Sequence, residues 1–308
     1  MGNQLLRSRW GCASYDPTGE DKVVITCALT GVLANRQQCP HIPYTPVEIA
    51  EEAQRAWDAG ATVAHIHARN DDGTPTFDTD VFARIKEEVR RRCEILLNFS
   101  TGTLGDDTGP QQKYIREVKP EIAALNMGTM NYAKYSRKQK RFVFDMVFPN
   151  TFEKIGTLLK VMEEAGVKPE LECFDAGHTN SIWPLLDKGT LDLPLQFSFI
   201  MGVLGGIPPT VDSLMLQARQ IPSESSWAVI GIGREQWRWL SAALVLGGHI
   251  RVGLEDNFYL PGGLMAESNG ALVDKAVQMS RDIGREPANL EETKRILGFN
   301  KGSCHANP

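Results

Sequence analysis

The chain has 308 residues, 42% of them hydrophobic and 23% charged, with 28 glycines, a composition that suits one soluble α/β domain and excludes a disordered or fibrous polypeptide. A formal charge of -5 argues against a nucleic-acid surface, so an anionic ligand needs a local cluster of cations. No apolar run approaches the ~20 residues of a membrane span, and residues 1–22 lack a hydrophobic signal core, so neither a membrane nor nucleic acid is an expected partner.

Residues 1–22 are expected to form an extension before a single domain at 23–308. The first strand is VVITCA (23–28). A helix then opens at Thr45-Pro46-Val47-Glu48, a capping box with proline at its first position, and stops at Gly60. Further strands follow in TVAHIH (62–67), EILLNF (94–99) and EIAALNM (121–127), with a helix at 78–92 between the first two. Residues 131–150 make the one long departure, an insert holding a second short strand, FVFDMVF. Beyond a helix at 151–165 come KPELECF (168–174), PLQFSFIMG (194–202), SWAVIGIG (226–233) and HIRVG (249–253), with helices at 210–220, 235–246 and 269–284. Eight βα units in about 260 residues match a (β/α)8 TIM barrel better than an open doubly wound sheet, since no GxGxxG follows the first strand. The cysteines, Cys12, Cys27, Cys39, Cys93, Cys173 and Cys304, show no CxxC spacing and are expected to be free thiols in a reducing cytoplasm.

His65 and His67 stand two apart on the second strand. Side chains alternate along a strand, so both face the barrel interior, at the C-terminal end where barrel active sites sit. A lone buried histidine is usually structural; a pair at a barrel mouth points to a metal. Glu255, after the eighth strand, supplies a third ligand, because strands two and eight both flank strand one. Two histidines and one carboxylate leave coordination positions open, as catalytic zinc requires. Arg251, four residues earlier, should face the same cavity and fork a substrate carboxylate. Asp256 faces that way only if the strand ends near Gly253, which glycine permits.

Other candidates carry weaker signals. Ser100, Thr101 and Gly102 end the third strand and offer hydrogen bonds to substrate, although such a triplet also makes an ordinary turn. Asn126 and Glu172 end the fourth and fifth strands at the mouth, with a structural role as the competing reading. Gly231, Gly233 and Arg234 follow the seventh strand, where barrels commonly hold phosphate, and are candidates for a phosphate contact. His249 begins the eighth strand, away from the mouth, and reads as structural; His178 reads equally as helix start or substrate wall. Trp227, Trp237 and Trp239 are expected to pack.

The segments ITCALTG, PYTPVEIAEEAQRAWDAGATVAHIHAR, NFSTG, EIAALNMGTMN, PELECFDAG, WAVIGIGR, GGHIRVGLEDN and ESNGALV, in that order, resemble the β-keto acid cleavage enzymes, which include the 3-keto-5-aminohexanoate cleavage enzymes of lysine fermentation. The resemblance spans roughly residues 22–298. It implies a zinc-dependent barrel that exchanges acyl groups between a β-keto acid and acetyl-CoA, giving acetoacetate and a new acyl-CoA. It also implies a homotetramer. On the matching positions it makes His65, His67 and Glu255 metal ligands, Asp256 the base, Arg251 its charged neighbour and Ser100 a substrate contact. Leu33, in LTGVLANR, stands where members acting on amino-substituted keto acids carry an acidic residue, which implies a less polar or differently charged substrate tail. The rival is an amidohydrolase-like barrel hydrolase, which wants its HxH on the first strand and histidines after the fifth and sixth; PLQFSFIMG has none.

Overall fold

The computed structural model describes residues 21–299. Its strands are β1 (Lys22–Val23), β2 (Ile25–Ala28), β3 (Val63–Ile66), β4 (Leu96–Ser100), β5 (Ile122–Asn126), β6 (Met130–Ser136), β7 (Arg141–Phe148), β8 (Lys168–Cys173), β9 (Gln196–Met201), β10 (Ser226–Gly231), β11 (His249–Val252) and β12 (Glu286–Pro287). Its helices are α1 (Pro46–Ala59), α2 (Thr79–Arg90), α3 (Gly109–Val118), α4 (Phe152–Ala165), α5 (Ala176–Asn180), α6 (Ile182–Asp187), α7 (Val211–Gln220), α8 (Gln236–Val245), α9 (Asn269–Asp282) and α10 (Leu290–Ile296).

Eight parallel strands close into a barrel in the order β10, β11, β2, β3, β4, β5, β8, β9, as expected of a (β/α)8 fold. Outward-facing Ile25, Ala64, Leu97 and Phe199 merge with helix residues such as Ile49, Ala53 and Phe82 into one core. Val63, Leu96, Ile122 and Leu297 form a separate apolar floor. With both faces covered, the strands read as unbroken apolar runs, except where function places polar groups inside.

Local chemistry starts and stops the helices as anticipated. The Thr45 side chain accepts from Glu48 N while Glu48 caps Thr45, and Gly60, at φ +114°, ends α1 in the left-handed conformation. Other features depart from expectation. The first strand divides at Val24, and Lys22, placed in the extension by sequence, pairs with Glu286 beside the barrel. Residues 1–20 of the expected extension lie outside the described residues. The insert is an antiparallel hairpin, β6 against β7, rather than a single strand. Two short helices, α5 and α6, follow β8 where the sequence reading named no helix.

Four cysteines, Cys27, Cys39, Cys93 and Cys173, are buried free thiols; Cys12 and Cys304 fall outside the described residues. His249 is structural: its Nδ1 accepts from Val24 N at 3.2 Å, and burial, with Arg285 nearby, pulls its pKa down to about 3. The indole Nε1 of Trp237 donates to Tyr259 O at 2.8 Å, while Trp227 and Trp239 pack against the core.

Candidate active site

At the mouth, β3 and β11 flank β2, and their ends bring His65, His67 and Glu255 together. The imidazole rings lie 5.2 Å apart and nearly perpendicular, and Nε2 of His65 and of His67 sit 3.6 and 3.4 Å from Glu255 Oε1. A tetrahedral ion with bonds near 2.1 Å spaces its ligand atoms about 3.4 Å apart. A direct N–H···O bond would draw them to about 2.9 Å. Both separations fit the ion, so this donor set can hold a divalent metal. Behind it, buried His65 Nδ1 has no hydrogen-bond partner, and ligand atoms of His65, Glu170 and Glu172 lie within 4.8 Å of one another.

Glu255 is held from two sides. Its Oε2 accepts from Gly31 N at 3.1 Å and its Oε1 from Arg251 Nη2 at 2.7 Å. Gly31 has φ +60°, and a Cβ there would lie 2.8 Å from Glu255 Cγ, so only glycine admits this approach. Arg69, 2% exposed, clamps the same loop from beneath: Nε donates to Gly31 O at 2.9 Å, and Nη2 to the carbonyls of Thr30 and Ala34 at 3.1 and 2.8 Å.

Asp256 reaches the cavity because the chain leaves extended geometry at Gly253, φ +139°, and turns, with Asp256 N donating to Gly253 O at 3.1 Å. A Cβ at Gly253 would sit 2.1 Å from Ala28 O. Gly253→Ala is therefore expected to destabilise the fold by about 2–4 kcal/mol, through backbone strain and a clash with an unyielding carbonyl. Urea unfolding measures this, and a loss under about 1 kcal/mol contradicts it.

Arg251 corrects one expectation. Its fork is already closed: Nε and Nη2 donate to Asp256 Oδ2 and Oδ1 at 2.9 and 2.8 Å, Nη2 also to Glu255, and Nη1 lies 3.4 Å from Glu172 Oε1. A substrate carboxylate cannot take that fork without displacing Asp256. The electrostatics follow. Burial raises Asp256 and Arg251 draws it back, leaving its pKa pushed up to about 6. Burial also acts upward on Glu255, but Arg251 and the two imidazoles hold it well below the usual carboxylate range. Burial, with Glu170 beside it, pushes the Glu172 carboxyl upward, against the pull of Arg251.

These groups line a cavity of about 230 Å³. Ser100, Gly102, Asn126, Glu172 and Leu33 also line it, with Leu33 at 59% exposure. Thr101 does not; its Oγ1 donates to Ala124 O at 2.5 Å, fixing the turn. His178 packs on Phe174, accepting from Phe174 N at Nδ1, and is a structural residue off the cavity wall. Ile230 and Ile232 of the strand-seven segment line the cavity, but Gly231, Gly233 and Arg234 do not. Gly231 is packed against Gln236, Gly233 N donates to Asp256 O at 2.8 Å, and Arg234 lies over the Tyr259 ring at 3.9 Å. The glycine amide expected to meet CoA phosphate thus already serves Asp256.

An apolar wall escaped the sequence reading. Tyr132, Met146 and Phe148 of the hairpin, with Phe174, line the same cavity as His65, His67 and Glu255. Tyr132, Phe148 and Phe174 contact one another at ring separations of 5.8–6.3 Å. The alternation in FVFDMVF is the signal that such a face exists.

Comparison with known proteins identifies the family of this chain. The chain is 37% identical over 282 residues to the 3-keto-5-aminohexanoate cleavage enzyme of Fusobacterium nucleatum subsp. nucleatum, covering 91% of this chain and 99% of that one. The enzyme of the same name from Acetoanaerobium sticklandii is 39% identical over 282 residues, covering 91% and 100%. The 3,5-dioxohexanoate:acetyl-CoA acetone transferase of Paraburkholderia graminis is 32% identical over 305 residues, covering 93% and 98%. In fold, the apo structure of ObcA superposes with a TM-score of 0.73 at 19% identity, over 84% of this chain and 66% of that one. The family model for beta-keto acid cleavage enzymes matches residues 22–299, nearly the whole described barrel, and the chain belongs to that family.

Proposed function

We propose that this protein is a metal-dependent enzyme that exchanges acyl groups between a β-keto acid and acetyl-CoA, releasing acetoacetate and a new acyl-CoA. The observation that carries the proposal is the meeting, in one cavity, of a three-ligand metal site and a buried aspartate locked by an arginine fork. His65, His67 and Glu255 would hold the metal; a mixed nitrogen and oxygen donor set suits zinc. When bound, the ion supplies positive charge against the negative charge that develops on the keto oxygen. Asp256 takes the proton from the carbon between keto and carboxylate groups, at a pKa closer to neutrality than an exposed aspartate has. Arg251 keeps both Asp256 oxygens oriented.

The deprotonated carbon bonds to the acetyl carbon of acetyl-CoA. The acetyl carbon–sulfur bond breaks and the CoA sulfur adds to the original keto carbon; the bond between that carbon and the nucleophilic carbon then breaks, releasing the new acyl-CoA, and Asp256 returns the proton to give acetoacetate. The apolar wall keeps water from the exchange. Ser100, Gly102 and Asn126 supply polar contacts to substrate, and Asn126 Oδ1, buried without a partner, is available for one. The relatives named for acetyl-CoA transfer and for β-keto acid cleavage support this reading. Cytoplasmic residence, supported by four unpaired thiols, and a tetramer, implied by the resemblance, belong to the same proposal.

Leu33 makes an ammonium-bearing tail a poor fit. Metal-loaded protein assayed with acetyl-CoA and β-keto acids bearing apolar, anionic and ammonium tails is expected to form acetoacetate fastest with an apolar or anionic tail. Acetoacetate formation confined to the ammonium tail refutes the selectivity, and keto acid breakdown independent of CoA refutes the reaction.

A further inference from the structure

The β6–β7 hairpin bears an unassigned charge cluster. Over residues 130–148 it carries five cations, Lys134, Arg137, Lys138, Lys140 and Arg141, against one carboxylate, Asp145, in a chain of net charge -5. All five cations are exposed, and no carboxylate pairs with them among the described residues; Arg141 Nε only donates to Gln139 Oε1 at 3.1 Å. Charged side chains blunt the edges of exposed strands, which is one use for them. That use does not require a single sign, or its concentration at the turn.

The base of the same hairpin is part of the catalytic cavity. Tyr132 and Met146 pair across the two strands and line the cavity that holds His65, His67 and Glu255. At about 3.3 Å per residue, the turn at 137–140 lies roughly 15 Å along the hairpin from Tyr132. In a CoA thioester, about a dozen covalent bonds separate the sulfur from the first phosphorus, also roughly 15 Å when extended. A thioester carbon in the cavity thus leaves the phosphates within reach of the turn when the chain runs along the hairpin. Between base and turn, Tyr135 and Phe142 contact edge to face, 45% and 52% exposed, and offer apolar surface to a purine ring.

We propose that the hairpin tip is the binding site for the phosphate groups of the CoA thioester, with Arg137, Lys138 and Lys140 as its principal contacts. The inference rests on the acetyl-CoA reading above. It replaces the glycine segment after β10 as the phosphate-binding element.

The test is the full-length triple variant Arg137→Ser, Lys138→Ser, Lys140→Ser, with acetyl-CoA and S-acetyl-N-acetylcysteamine compared as acyl partners for one β-keto acid. The second thioester carries no phosphate. The ratio of kcat/KM for acetyl-CoA to that for the truncated thioester is expected to fall about tenfold or more, through the KM for acetyl-CoA, as loss of charge-assisted contacts requires. A ratio within about twofold of the wild type overturns the proposal and leaves the cations as edge protection. Calorimetric binding of adenosine 3′,5′-bisphosphate separates this inference from the reaction. Weaker binding to the variant than to the wild type supports the site even if no keto acid is turned over. Equal binding, or no binding to the wild type, overturns it.

Discussion

Replacing Asp256 by asparagine is expected to lower turnover of a β-keto acid with acetyl-CoA by about 10²–10⁴-fold while metal content per chain stays unchanged. Asparagine keeps the shape and one acceptor oxygen but cannot take the proton. Its amide nitrogen also faces a guanidinium donor, so one of the two bonds to Arg251 is lost. Breaking a buried pair from one side costs about 3–5 kcal/mol in the worst case, but Glu255 still accepts from Arg251 Nη2, which limits the damage. A thermal melt and a metal assay on the variant separate lost chemistry from lost structure. A folded, metal-replete Asp256→Asn protein whose turnover drops less than tenfold has its base elsewhere.

Metal removal should have an effect at least as large. Chelated protein is expected to keep no more than about 1% of its activity and to recover it on addition of a divalent ion, because the positive charge opposing the developing oxyanion has gone. The same ion should stabilise the fold. With free metal at about 1,000 times its dissociation constant, linkage adds about 4 kcal/mol, read as a rise in the melting temperature. Glu255→Gln removes a charged ligand held by Gly31 and Arg251, and should abolish most of both responses. Persistence of full activity in protein stripped of metal would end the metal-dependent reading.

Much of the barrel can be read directly from residues. The strands stand out because both faces are covered, giving VVITCA or EILLNF as unbroken apolar runs, and Thr45-Pro46-Val47-Glu48 declares its helix through capping chemistry. His65 and His67 are legible as a pair since alternation alone puts them on one face. The occupancy of Arg251 is not legible, because it depends on how far the turn after Gly253 rotates Asp256 beneath the fork, a matter of one backbone angle. Likewise the amide of Gly233 looks free in sequence and meets Asp256 O only once the ends of β10 and β11 are side by side. The hairpin wall was harder still: Tyr132 and Phe148 sit in an insert whose direction relative to the barrel no local pattern encodes. The cationic turn was hidden by averaging over an acidic chain.

Arg69 has a bearing on how such enzymes diversify. It grips the carbonyls of Thr30, Gly31 and Ala34, bracketing position 33 without touching its side chain's role at the rim. On the proposed role of position 33, selection could retune the residue that greets the incoming tail while the loop's path, and the amide that steadies Glu255, stay put. New substrate preferences would then be accessible by single replacements, with the reactive machinery inherited intact.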